Sequence, residues 1–183
     1  MTMTNTACET AVRVLTAAFA DDPVTRWLLP DPAVDPADVV FRPLAQRSAA
    51  HGELALSADG TAAAVWLPRA AEPPVLDDEA LPDHLSRLRT FITLTEQRHP
   101  NGRAHLHLVF PGVAPEARGR GLGGALLRER LAAADAEGVP AYLEASSPHS
   151  RPLYERHGFR VTGDPITLPD GPPMWPMWRD PRP

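Results

Sequence analysis

Residues 105–138, HLHLVFPGVAPEARGRGLGGALLRERLAAADAEG, determine the fold, because their pattern predicts a strand, a glycine-rich turn and a helix in direct succession. Polar and apolar residues alternate over His105 to Val109, as in a strand that buries one face. Pro111-Gly112 interrupts the alternation, so we expect the strand to be bulged or splayed there. The helix is predicted to end at Gly138. Its leucines recur at helical spacing: Leu122, Leu126, Leu127 and Leu131.

The turn within this stretch, RGRGLG at 118–123, has almost no side-chain bulk apart from its arginines. Such a loop lets backbone N–H groups approach an anion, and the helix dipole together with Arg118 or Arg120 adds positive potential. We therefore expect it to bind a phosphate or pyrophosphate. A nucleoside-triphosphate P-loop is disfavoured, because that motif ends in Gly-Lys-Ser/Thr and the chain contains no lysine, and the dinucleotide fingerprint Gly-x-Gly-x-x-Gly does not fit the glycine spacing.

A second motif follows the first. Residues 142–159 predict an apolar strand, a Ser-Ser-Pro break and a short helix that carries Tyr154 and ends at Gly158. Arg-x-x-Gly-x-Gly at 118–123 and Leu-Tyr-x-x-x-Gly-Phe at 153–159 resemble motifs A and B of the GNAT acyltransferase superfamily. The resemblance implies the α/β GNAT acyl-CoA N-acyltransferase fold, a mixed twisted sheet flanked by helices with a splayed central strand pair.

Four further segments, 16–26, 59–66, 139–148 and 152–162, look like puromycin N-acetyltransferase and its actinobacterial relatives. This resemblance implies direct transfer of an acetyl group from acetyl-CoA to the amine of a small molecule, with an aminonucleoside or antibiotic-like amine favoured. Two alternatives stay open: a biosynthetic acyltransferase that uses another acyl-CoA or a carrier-protein thioester, and a non-catalytic acyl-CoA-binding sensor.

Length and composition limit the other classes of function. The 183 residues suffice for one domain, which we assign to 1–183. A net charge of -5 argues against an extended nucleic-acid surface. Cys8 is the single cysteine, so no intramolecular disulfide is expected, and no long apolar run predicts a membrane span. We expect a cytoplasmic protein that needs no metal, and the resemblance is compatible with a homodimer through the late strands.

The rest of the chain supplies the frame of the domain. No strand is expected before residue 10, and residues 69–82 are expected to form a surface loop. Helices are predicted over Thr10–Ala20, Pro36–His51 and Pro82–His99, a hairpin over Leu54–Ser57 and Thr61–Leu67, and closing strands over Val161–Leu168 and Pro172–Arg179.

The superfamily resemblance also implies which residues bind acetyl-CoA. Backbone groups of the splayed strand would orient the thioester and pantetheine, and the loop would hold the pyrophosphate. The implied cofactor-binding residues are Val109, Phe110, Gly112, Val113, Arg118, Gly119, Arg120, Gly121, Leu122, Gly123, Ser150, Arg151 and Tyr154.

Acyl transfer to an amine needs a neutral amine and a proton for the departing thiolate. Tyr154 matches the superfamily tyrosine that protonates the thiolate. His107 is a candidate base, since imidazole titrates near neutral pH, and Glu144 on the neighbouring strand competes for that role. For the acceptor we expect a wall formed by an apolar loop at 24–30, with Asp21, Asp22 and Trp27 facing the amine together with Glu144.

Overall fold

The computed structural model describes residues 2–72 and 81–183. Within these ranges the helices are α1 (Thr2–Phe19), α2 (Pro23–Leu28), α3 (Arg42–Ala50), α4 (Ser86–Arg98), α5 (Leu122–Glu137) and α6 (Arg151–Arg156). A π-helical turn (Ala37–Phe41) leads into α3, and 3-10 turns precede α4 (Asp83–Leu85) and α5 (Pro115–Ala117). The strands are β1 (Leu54–Leu56), β2 (Ala62–Arg69), β3 (His105–Val113), β4 (Ala141–Ala145), β5 (Arg160–Val161), β6 (Ile166–Thr167) and β7 (Pro173–Arg179).

The strands form one mixed seven-stranded sheet in the order β1-β2-β3-β4-β7-β5, with β6 also paired to β7. β3 and β4 are parallel, whereas the other pairs are antiparallel. Together with the helices on its faces, this sheet confirms the predicted α/β class.

The sheet is covered on both faces, which explains why residues 62–67 of β2 are all apolar and buried rather than alternating. Ala63 and Val65 of β2 join a core that includes residues of α1, α2 and α3. Ala64 and Trp66 face the opposite way and join a second core that includes α5 and α6. The helix α5 therefore packs on the face opposite to α1, and its glycine-rich loop lies at the edge between the two layers.

The central strands β3 and β4 diverge after a short pairing. Their paired residues are Leu106 with Ala141 and His107 with Tyr142. Beyond His107, β3 stays paired to β2 and β4 stays paired to β7. A gap therefore opens between β3 and β4, which we call the splay. The predicted splayed strand pair is confirmed.

A bulge also lies in β3, but not where the sequence predicts it. Val65 and Trp66 of β2 are paired with Phe110 and Leu108, so Val109 is the extra residue. A bulge of this kind bends the strand and increases its twist. The bend occurs just beyond His107, where the splay begins.

Pro111-Gly112, the predicted position of the bulge, pairs in register with Ala63 and Ala64 of β2. Proline is tolerated there because the β4-facing side of β3 is unpaired at this point. Gly112 has a packing role instead. A Cβ at Gly112 would lie 2.9 Å from Cδ2 of Leu15, so α1 can approach β3 this closely only over a glycine.

Two predictions near the start of the chain need correction. The first helix begins at Thr2 rather than Thr10, and residues 24–30, predicted as a loop, are largely helical in α2. Asp22 caps α2 by accepting a hydrogen bond from the Thr25 amide at 2.9 Å, and Pro23 occupies the first helical position. The Asp-Pro pair therefore starts α2.

Later elements follow the prediction with smaller changes. The predicted strand over 161–168 is divided into β5 and β6, which both pair with β7. Most of the loop predicted over 69–82 lies outside the described residues. Within the described ranges, no helix combines the length and the apolar character needed to cross a membrane.

Candidate active site

The glycine-rich loop has the backbone geometry that an anion site requires. Gly119 and Gly121 have φ angles of 78° and 77°, a left-handed conformation that favours glycine. A Cβ on either residue would meet no atom within 4 Å, so the space around the loop is open. α5 begins at Leu122, and its first turn offers N–H groups that lack acceptors within the helix. The loop therefore fits a phosphate or pyrophosphate group.

The two arginines of the loop are exposed and each makes one tie to a neighbouring element. Arg118 donates to the carbonyl of Ala18 at 3.0 Å, at the end of α1. Arg120 pairs with Asp59 of the β1-β2 turn at 3.2 Å. Both guanidinium groups thus border the loop, where they contribute positive potential to it.

Ser150 and Arg151 lie at the start of α6, the helix that follows β4 along the chain. The Ser150 hydroxyl donates to the carbonyl of Ser147 at 2.9 Å. The Arg151 guanidinium lies over the Trp175 ring at 5.4 Å from its centroid and 3.5 Å from Glu155. These contacts fix the beginning of α6, the helix that carries Tyr154.

His107 of β3 and Glu144 of β4 meet where the splay begins. Nε2 of His107 lies 2.7 Å from Oε2 of Glu144, and their side chains are 15% and 11% exposed. Burial raises the pKa of Glu144, but the adjacent His107 opposes this effect and the net direction is downward, so the carboxylate is ionised. An ionised carboxylate can only accept, so Nε2 of His107 carries the hydrogen, and in the neutral ring Nδ1 keeps a lone pair.

Two more histidines extend this pair across the sheet. Nδ1 of His105 lies 2.8 Å from the carbonyl of Arg103 and must donate to it, and Nε2 of His105 lies 2.9 Å from Nε2 of His99. Burial lowers the pKa of His105 to about 4, so its ring is neutral and Nε2 accepts. His99 must then donate from Nε2. Its other nitrogen, Nδ1, faces Oε1 of Glu144 at 3.9 Å.

Tyr142 completes the group, which we call the polar cluster: His99, His105, His107, Tyr142 and Glu144. Its ring is fully buried and lies 4.6 Å from His99 and 5.4 Å from His107, between centroids. Burial also raises the pKa of its phenol. Its hydroxyl and Oε1 of Glu144 have no hydrogen-bond partner among the described residues. These two buried polar atoms are therefore available for hydrogen bonds to a water molecule or a ligand, as buried polar groups normally require.

Tyr154 lies on α6, in the core that includes α5, and is 6% exposed. Burial raises the pKa of its phenol, the neighbouring Ser150 side chain lowers it, and the negative charge of Asp22 raises it again. The phenol therefore stays protonated at neutral pH and can act as a proton donor.

The structure separates the three residues predicted to bind the acceptor. Asp22 lies at the end of β4, where its Oδ2 accepts from the Ser146 hydroxyl at 3.1 Å. The side chain of Asp21 is 92% exposed and pairs with Arg26. Trp27 is buried in the core, and its indole N–H donates to the carbonyl of Pro169 at 2.8 Å. Asp22 alone of the three acts electrostatically on Tyr154.

Sequence reasoning missed His99, Tyr142 and Ser146. His99 follows α4 and reaches the sheet only through the tertiary fold, so no spacing in the sequence could reveal it. Tyr142 and Ser146 did carry a weak signal, because residues two apart on a strand share the face of Glu144.

Comparison with known proteins agrees with the fold. The acetyltransferase (GNAT) domain family matches residues 86–180, just over half of the chain. An uncharacterized N-acetyltransferase of Schizosaccharomyces pombe is 42% identical over 53 residues, which cover 29% of this chain and 22% of that protein. The match therefore spans about a fifth of the yeast protein's length.

Two solved structures cover nearly the whole chain. A Corynebacterium glutamicum protein described as histone acetyltransferase HPA2 and related acetyltransferase is 26% identical, with coverage of 97% and 92% of the two chains and a TM-score of 0.61. Arylalkylamine N-acetyltransferase 2 from Aedes aegypti is 14% identical, with coverage of 97% and 96% and a TM-score of 0.67, a likeness of fold alone. With the family match and the described geometry, the chain belongs to the GNAT acetyltransferase family.

Proposed function

We propose that the protein transfers the acetyl group of acetyl-CoA directly to the amine of a small molecule held in the splay. Three features of the splay support this proposal: the open glycine-rich loop, the unpaired edge of β3 and the His107–Glu144 pair. Bound acetyl-CoA would supply the acetyl group as a reactive thioester.

The chain offers two backbone sites to this cosubstrate. The loop at 118–123 and the start of α5 would hold its pyrophosphate. Beyond His107, the backbone N–H and C=O groups on the β4-facing edge of β3 are free to pair with an extended ligand that carries amides. This edge includes Val113, next to Ala114, whose N–H donates to Thr61 on the β2 side, and pantetheine has the amides to use it.

His107 is our choice of general base. Because Glu144 holds the Nε2 hydrogen of His107, the lone pair at Nδ1 is the one that can take a proton from the amine. Glu144 would position the imidazole and stabilise its charged form. A water molecule could connect the amine to this nitrogen without a change in the assignment.

Tyr154 would supply the proton at the other end of the reaction. Its buried phenol is neutral, and it becomes an effective donor only when a basic thiolate develops nearby. Asp22, which adds negative charge beside Tyr154, would attract a cationic amine to the same gap. His107 and Tyr154 would thus perform the two proton transfers of the reaction.

The proposed acceptor is a small cationic amine. Asp22 and ionised Glu144 favour an amine that arrives as a cation, and the segment resemblance favours an aminonucleoside or another antibiotic-like amine. A related fold in an arylalkylamine N-acetyltransferase is compatible with an aromatic amine as well. No membrane or nucleic-acid partner is required.

The test is CoA release from acetyl-CoA by the purified full chain against puromycin, other aminonucleosides, aryl and alkyl amines, polyamines and lysine peptides. Cys8→Ala is the parent, since it removes the chain's own thiol from the assay. We expect turnover on a small amine and its loss in Tyr154→Phe, with acetyl-CoA affinity retained. Binding of acetyl-CoA without turnover on any amine would contradict the proposal and favour the sensor.

A further inference from the structure

We propose that His99, His107 and Glu144 form a binding site for a divalent transition-metal ion of the zinc class. One nitrogen from each imidazole and a carboxylate oxygen lie within 4.8 Å of one another. The residues come from the end of α4, from β3 and from β4, so three separate elements hold them. The absence of paired cysteines or a His-x-x-x-His motif from the sequence therefore does not bear on this site.

Two hydrogen-bond acceptors face each other inside the cluster. His105 donates to the carbonyl of Arg103, so it accepts from Nε2 of His99, and in the neutral ring Nδ1 of His99 is a lone pair. That lone pair faces Oε1 of Glu144 at 3.9 Å, and Oε1 has no partner among the described residues. The distance is too long for a hydrogen bond, and a cation between the two atoms would satisfy both.

The two distances from Glu144 to the imidazoles are close to those around one small ion. Zinc bonds of about 2.0–2.2 Å to nitrogen and oxygen separate two ligand atoms by roughly 3–4 Å. The His99–Glu144 distance lies in this range. The 2.7 Å His107–Glu144 contact would open slightly when the metal binds Nε2 of His107 and the ring hydrogen moves from Nε2 to Nδ1. Three protein ligands leave one coordination position for water.

A supporting shell is already in place. Metal-bound histidines usually donate their second N–H to a fixed acceptor, and His99 does so to His105, which is tied to the backbone. The unpartnered hydroxyl of Tyr142 lies in the same cluster and can bond a metal-bound water. Imidazole with carboxylate favours Zn²⁺, Co²⁺ or Ni²⁺ over Mg²⁺ and Ca²⁺, which prefer oxygen ligands.

Metal binding at this site would affect catalysis, a consequence that rests on the proposed function. An ion on Nε2 of His107 and on Glu144 takes the pair that we assign to amine deprotonation. Zinc would therefore inhibit turnover, a chelator would restore it, and acetyl-CoA would still bind because its loop is on another part of the splay. Binding of the ion itself does not depend on catalysis and is measured without substrates.

The experiment titrates Zn²⁺, Co²⁺ and, as a comparison, Mg²⁺ into the untagged, chelator-treated full chain, by calorimetry and by the visible spectrum of bound Co²⁺. We expect one ion per chain, a Co²⁺ spectrum of low coordination number and no Mg²⁺ binding. His99→Gln should weaken Zn²⁺ binding by more than about 10-fold, the smallest loss expected on removing a metal-site residue. The matched control is His84→Gln, at an exposed histidine outside the cluster.

Glu144→Gln is the second ligand variant and should lose the Co²⁺ spectrum as well. Stabilisation of each variant by acetyl-CoA reports that the fold is intact. The proposal is overturned if Zn²⁺ shows no saturable binding, or if His99→Gln and Glu144→Gln bind it as tightly as the parent. If zinc binds and no amine is acetylated, the metal site stands and the proposed function fails.

Discussion

The two sides of the splay are built by different means. The loop at 118–123 is a backbone structure, with two left-handed glycines and the start of α5, and it involves one continuous segment of sequence. The polar cluster is a side-chain structure, assembled from the end of α4 and from β3 and β4. If the loop binds the cosubstrate and the polar cluster faces the acceptor, as we propose, then the cosubstrate side depends on glycines at fixed positions and the acceptor side on individual side chains.

The largest expected effect comes from a substitution in the polar cluster, the acceptor side of the splay. Replacing His107 with alanine removes the proposed base, and turnover should fall by about 10²- to 10⁴-fold, the usual contribution of general base catalysis. Acetyl-CoA binding should be unchanged, because the loop is untouched. Steady-state kinetics measures this, with His51→Ala at an exposed histidine as the control. Undiminished turnover combined with inactive Glu144→Gln would transfer the base role to Glu144.

Gly121→Val breaks the cosubstrate side. A β-branched residue at a φ of 77° is strained by about 1–3 kcal/mol, so the loop should leave its binding geometry and acetyl-CoA affinity should fall by roughly 10- to 100-fold. Gly138→Val is the matched control, since Gly138 has a φ of 67° and equally open surroundings at the far end of α5. Equal loss of affinity in both variants would show that strain acts through general destabilisation.

Asp135→Asn tests the far end of α5, which neither side of the splay contains. Asp135 binds the buried Arg179 through both oxygens, at 2.7 and 2.6 Å. Removing the negative charge should cost about 1–3 kcal/mol of unfolding free energy at neutral pH, less than for a fully buried pair because Asp135 is 22% exposed. Turnover per folded molecule should be unchanged.

The same variant predicts a pH dependence. The hydrogen bond from Arg179 lowers the pKa of Asp135 in the folded protein, so its stabilisation is present above the unfolded pKa of about 3.9 and is lost as pH falls through the folded value. Urea denaturation of the parent and Asp135→Asn should therefore give a difference at pH 7 that shrinks in acid. A difference that grows in acid would contradict the sign of the shift.

Arg120→Gln should have the smallest effect. Its pair with Asp59 is exposed and worth about 0–1 kcal/mol, and its contribution to a bound pyrophosphate is screened by salt. We expect acetyl-CoA affinity to fall by about 2- to 5-fold at low ionic strength and to match the parent at high salt. A large loss that persists in salt would mean that Arg120 contacts the ligand directly.

Prediction from sequence succeeded where one segment determines the structure. The strand, loop and helix over 105–138 form as expected, and Gly138 ends α5 in a left-handed conformation. It failed where distant segments meet. His99 joins the polar cluster only through the tertiary fold, and Trp27, predicted to face the acceptor, gives its indole N–H to Pro169 because α2 replaces the predicted loop.

The bulge shows the same limit within one strand. The proline and glycine at 111–112 suggested the irregularity, yet the register shift lies at Val109, because a bulge depends on how β2 pairs with β3. Glycine at 112 is needed for the approach of α1, a contact between segments almost 100 residues apart. The position of the bulge and the need for glycine at 112 thus depend on strand pairing and helix packing between distant segments, which local composition does not reveal.

The account is tested most directly by kcat and the KM for acetyl-CoA, measured on one acceptor amine for the parent, His107→Ala and Gly121→Val. We predict that His107→Ala lowers kcat with little change in KM, and that Gly121→Val raises KM with kcat largely kept at saturation. Two results would contradict the division between a side-chain acceptor side and a backbone cosubstrate side. The first is that kcat is retained in both His107→Ala and Glu144→Gln. The second is that His107→Ala and Gly121→Val change the same kinetic parameter in the same way.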